Sequence, residues 1–73
     1  MIEMRRTGLE SVGGEVRWGL QLVSIESQGR AFDHGTMHLE SPEAVEAMVV
    51  LLAREAGYRD GGWQRNAIRP RAA

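Results

Sequence analysis

Between Ser41 and Gly57 the chain carries the one segment whose start, stop and periodicity all agree, and the rest must fold around it. Ser41 suits the N-cap, where its hydroxyl accepts from a first-turn amide that has no carbonyl partner. Pro42 follows at the first helical position, where its missing N–H costs nothing. Glu43 places negative charge near the positive end of the helix dipole. Ala44 stands where a capping box needs Glu or Gln, so that motif is absent. Gly57 can turn left-handed without a Cβ penalty and so ends the helix. The spacing predicts a helix over residues 42–56, about 22 Å long.

At about 100° per residue, Val45, Met48, Val49, Leu52 and Ala56 form one apolar stripe, the expected core face. Glu43, Glu46 and Arg54 mark the wet face. Val50 projects among them, and Leu51 sits beside Ala44 and Ala47. Two expectations follow for this pair. Either the chain's own tail covers them, or they form a contact surface for another chain.

An amphipathic helix needs a partner layer, and the upstream sequence supplies strands. Ile2 and Met4 alternate with Glu3 and Arg5 in a first strand over residues 2–12, with a bulge or an early end expected near Gly8. Gly13-Gly14 predicts a tight hairpin. Over residues 15–27, Val16, Trp18, Leu20 and Leu22 share one face, and Arg17, Gly19 and Gln21 the other. Val23 and Ile25 fall out of phase, which predicts a bulge near Leu22 or a strand covered on both faces. Gln28-Gly29-Arg30 is the next turn, and Phe32 is expected to anchor its loop in the core. A third strand over residues 34–40 points Met37 and Leu39 inward, and His34, Thr36, His38 and Glu40 outward.

Consecutive strands joined by tight turns pair as a meander. The expected fold class is α+β: a three-stranded antiparallel β-meander with one C-terminal α-helix packed on one face (β-β-β-α). Beyond the helix, Asp60-Gly61-Gly62 reads as a turn. Residues 63–69 then form a short fourth strand or lie extended over the helix. Residues 1–57 are the single domain, and residues 58–73 are a basic tail, ordered in part or folded back on the helix.

A chain of 73 residues without cysteine has neither a disulfide nor a thiolate metal site to staple it. A domain this small buries only about 60% of its unfolded surface, so stability must come from efficient packing or self-association. All nine basic residues are arginine, which points to a high-GC bacterium or its phage. Charge is unevenly spread: residues 10–55 carry a net −5, and residues 58–73 a net +3 from four arginines against Asp60. No apolar run is long enough to cross a membrane, and no signal-peptide core opens the chain, so the expected location is cytoplasmic.

Chemistry-bearing patterns are sparse. His34 and His38 on one continuous strand stand about 13 Å apart, too far for one metal, so no metal site is expected from them with Asp33 and Glu40. No serine sits in a nucleophile elbow, and no glycine loop cradles a phosphate. The chain is therefore expected to be no enzyme and to carry no cofactor. The leading expectation is a small non-enzymatic protein-interaction domain, an inhibitor or regulator, that binds a protein partner or pairs with itself. Ala47, Val50, Leu51 and Trp63 are its candidate interface. The alternative is a small nucleic-acid-binding regulator whose tail offers Arg59, Trp63, Arg65, Arg69 and Arg71 to phosphates and bases; the acidic body opposes it. In size and in its lack of motifs the chain is similar to small phage inhibitors of bacterial defence, anti-CRISPR proteins among them. No residue carries that likeness.

Overall fold

The computed structural model describes residues 1–69 apart from Val12. Strands β1 (Ile2–Glu10), β2 (Val16–Ile25) and β3 (Ala31–Leu39) are followed by helix α1 (Pro42–Ala56) and strand β4 (Arg59–Trp63). The sheet order is β3-β2-β1-β4. β1 pairs antiparallel with β2, and β2 with β3, while β4 runs parallel to β1. The architecture is the expected α+β meander and helix, with the fourth strand making the sheet mixed. A parallel strand needs a long crossover. Here α1 is that crossover, carrying the chain from one edge of the sheet to the other.

The helix forms where its signals place it. The Ser41 hydroxyl accepts from the Ala44 amide at 3.1 Å. Gly57 adopts φ 70°, and its amide turns back to the Leu52 carbonyl. Val45 and Val49 are buried against Met4 of β1 and Leu20 of β2. Trp18, Leu22, Met37, Leu39, Met48, Leu52 and Tyr58 pack around this centre. Ala56 was expected in the stripe, but the last helical turn stands clear of the sheet and leaves it exposed.

Several strand details depart from expectation for identifiable reasons. β1 shows no bulge at Gly8; it pairs with β2 without a register break from Ile2 to Glu10. The hairpin connection is longer than a two-residue turn, with Ser11 and Glu15 joined by a 2.7 Å amide–carbonyl bond and Gly14 at φ 80°. β3 begins earlier than expected, so Phe32 lies in a strand, 45% exposed, under the Arg30 guanidinium rather than in the core. The bulge expected on β2 sits across the ladder. Gln21 pairs with Thr36 and Val23 with Asp33, so His34 and Gly35 together face Leu22. That extra residue, with Gly35 at φ 107°, turns His34 to the helix-bearing face, where Nε2 lies 2.8 Å from Ser24 Oγ. His38 stays on the other face, so the two histidines do not share a side.

Asp60-Gly61-Gly62, expected as a turn, lies inside β4 as a bulge. Met4 pairs with Asp60 and Arg6 with Trp63, leaving Gly61 and Gly62 opposite Arg5 alone. A side chain three positions along a regular strand points to the opposite face. The bulge, with Gly62 at φ 76°, cancels that inversion and puts Asp60 and Trp63 on the same face. No helix among the described residues is long and apolar enough to cross a membrane.

Candidate functional sites

Three places gather polar or unpartnered side chains. The first lies under the helix. Continuing the alternation of Ile2 and Met4 sends Arg6 inward, where it is 7% exposed. Its Nε and Nη2 donate to both oxygens of Glu46 on α1, at 3.0 and 2.7 Å. Nη2 also donates to Asp60 Oδ2 on β4 at 2.9 Å, and Nη1 donates to Asp60 Oδ1. Asp60 Oδ1 in turn accepts from the Gly62 amide at 2.9 Å, which ties the bulge to the cluster.

The hydrogen bonds to Asp60 and then to Glu46 push the Arg6 guanidinium above its ordinary pKa, although burial works against this. The hydrogen bond from Arg6 holds the Asp60 carboxyl below its ordinary range; burial opposes it, and the Gly62 amide assists. Such a guanidinium is a fixed cation whose donors are engaged. Its work is mechanical: it joins β1, α1 and β4 at one point. Two half-exposed carboxylates let a buried charge avoid the desolvation cost of an isolated ion.

The second place is the outer surface of α1. Val50 is 57% and Leu51 50% exposed, and exposed Ala47 lies between them on the helix surface. Among the described residues the tail does not cover them, because residues 59–63 run along the free edge of β1. Trp63, the fourth candidate of this group, is half-buried elsewhere. Its ring meets Trp18 edge-on, with centroids 5.8 Å apart and planes at 79°. Gly8 makes room for this pair, since a Cβ there would stand 3.0 Å from the Trp18 ring and 2.8 Å from the Ile68 carbonyl.

The third place is the sheet face turned away from the helix. At its centre is Gly19, where a Cβ would come within 2.6 Å of Thr7 Oγ1 and 2.8 Å of Thr36 Cγ2. The missing side chain lets the two threonines close over the middle strand. Around this floor lies an open depression of about 570 Å³, bordered by Arg17, Gln21, His38 and tail residues 64–67. The tail reaches this place because the Gln64 amide donates to the Arg6 carbonyl at 2.9 Å and the Ile68 amide to the Gly8 carbonyl at 3.2 Å.

Of the candidate nucleic-acid contacts, Arg59 and Arg69 are exposed, and Arg65 borders the depression. Arg71 lies outside the described residues. Trp63 is on the helix side of the sheet and Arg65 on the other. Sequence reasoning missed Arg6, Glu46 and Asp60 as a cluster. The phase of Ile2 and Met4 was a usable signal for Arg6; nothing local announced its partners 40 and 54 positions away. Among the described residues no group of three or more His, Asp or Glu gathers as a metal site. In comparisons with known proteins, the chain matches no family model, no curated protein and no solved structure.

Proposed function

We propose that this chain is a non-enzymatic protein-interaction domain that works through the outer surface of α1, and that the partner seated there is a second copy of itself. The observation that carries this is the exposure of Val50 and Leu51 on either side of Ala47. Burying them in a partner stabilises a small domain whose own core centres on four buried side chains.

The order of residues on that surface favours self-pairing. In an antiparallel pair of helices related by a two-fold axis level with Met48 and Val49, Glu43 of each copy stands opposite Arg54 of the other. In the same register Ala47 stands opposite Val50. Opposite charges then meet at both ends, and a small residue receives a larger one in the middle. The contact is narrow, which predicts a weak dimer, with a dissociation constant above about 1 µM. A small inhibitor or regulator of bacterial or phage origin is a role such a domain fits.

The test is Leu51→Glu, followed by sedimentation velocity and a thermal melt. The proposal expects a folded monomer with a melting point near that of the unmutated chain. A variant that keeps every association state of the original removes the proposal.

A further inference from the structure

The open sheet face carries a separate feature. Arg17 and Arg65 both border the depression: Arg17 comes from β2, and Arg65 from the turn after β4. Neither pairs with a carboxylate among the described residues. His38, Thr7 and Thr36 add further donors around the same floor, and among the described residues no acidic side chain borders it. Glu46 and Asp60 are held by Arg6 on the helix side, and Glu3 is held by Arg5 at 2.8 Å.

We propose that this depression binds the phosphoryl group of a nucleotide-sized ligand, with Arg17 and Arg65 as its principal contacts. A carboxylate has two oxygens, and one guanidinium fork satisfies both. Two arginines and two threonine hydroxyls lining one depression offer more donors than two oxygens need, and match a group with three terminal oxygens. A volume of about 570 Å³ exceeds what a bare phosphate fills and falls in the range of small-molecule sites. Among the described residues no Phe, Tyr or Trp borders the depression, so there is no large stacking platform for a base. The site thus reads the phosphoryl group and its immediate attachment, and is indifferent to the base. Gly19 is part of the design, since any side chain there displaces Thr7 and Thr36 from the floor. This site is independent of the helix surface, and neither proposal depends on the other.

The experiment is an amide NMR titration of the full chain at low ionic strength with four probes: inorganic phosphate, AMP, UMP and succinate. The expected result is a set of shifts confined to Thr7, Gly19, Thr36 and their neighbours. AMP and UMP should bind within about twofold of each other, and succinate about tenfold more weakly or worse. Arg17→Gln and Arg65→Gln, both at exposed positions, should retain the native spectrum and each weaken AMP about tenfold. Inorganic phosphate shifting the same amides supports the assignment to the phosphoryl group. The proposal is overturned by the absence of shifts with every probe, by succinate binding as well as AMP, or by folded arginine variants that bind unchanged. A short single-stranded oligonucleotide serves as a fifth arm. Binding of that probe alone, with shifts along Arg59 and Arg69, also overturns it and favours a tail-based nucleic-acid contact.

Discussion

The Arg6 guanidinium donates to the Asp60 carboxylate across the β1–β4 edge, with Nη2 2.9 Å from Oδ2. These residues lie 54 positions apart, and only the bulge at Gly61-Gly62 turns Asp60 and Trp63 to one side of the sheet. The contact closes the fold: β4 is short, and beyond its backbone pairing with β1 it is held by the ion cluster with Arg6 and by Trp63 against Trp18 of β2.

Removing the cation should therefore loosen the β4 edge first. Arg6→Ala is expected to cost about 2–3 kcal/mol, below the range for a fully buried broken pair, because water can reach the half-exposed Glu46 and Asp60. Denaturant melts give the total. Hydrogen exchange should show the amides of Gln64 and Ile68, which bond to Arg6 and Gly8, losing protection before those of β2.

Acid should act through the same carboxylate. The folded pKa of Asp60 is depressed, chiefly by the Arg6 hydrogen bond. The folded state therefore binds fewer protons than the unfolded chain as pH falls. The stabilisation is present in full above the ordinary aspartate value of about 4 and is lost as pH drops through the lower folded value. Melting temperature measured from neutral pH downward should fall most steeply below about pH 4. In Asp60→Asn this acid limb should be shallower, and the neutral-pH melting point lower.

The core makes a graded prediction. Met4 is fully buried, so Met4→Ala should cost about 2–5 kcal/mol. Leu52 packs at the periphery, and Leu52→Ala should fall at or below the low end of that range. Equal losses at both positions would mean that the core is centred elsewhere.

Much of the fold was legible in the sequence because its signals were local. Ser41, Pro42 and Gly57 marked the helix ends, and the period-two run from Val16 to Leu22 marked the inner face of β2. The bulges were not legible in the same way. Asp60-Gly61-Gly62 has turn composition, yet here it follows a helix that delivers it to a free strand edge, and pairing with β1 overrides local preference. His34 and Gly35 carry a second bulge that no alternation count reveals. The exposed helix residues were legible from helical phase alone. The depression was not, because it combines Thr7, Gly19 and Thr36 from three strands with tail residues placed by the bulge.

Gly62 tests that bulge directly. Its φ of 76° strains any other residue, so Gly62→Ala should cost about 1 kcal/mol or more. The change should also shift the near-ultraviolet signal of the Trp18–Trp63 pair, whereas Gly13→Ala, in open space, should leave that signal unaltered.

The most direct measurement is sedimentation velocity across a concentration series on four chains: the original, Glu43→Arg, Arg54→Glu, and the double exchange. Self-pairing through α1 predicts a concentration-dependent dimer for the original chain. Each single exchange sets like charges against one another and should give a folded monomer. The double exchange restores opposite charges and should restore the dimer. An original chain that stays monomeric at every concentration, or a double exchange that does not recover association, would contradict the account.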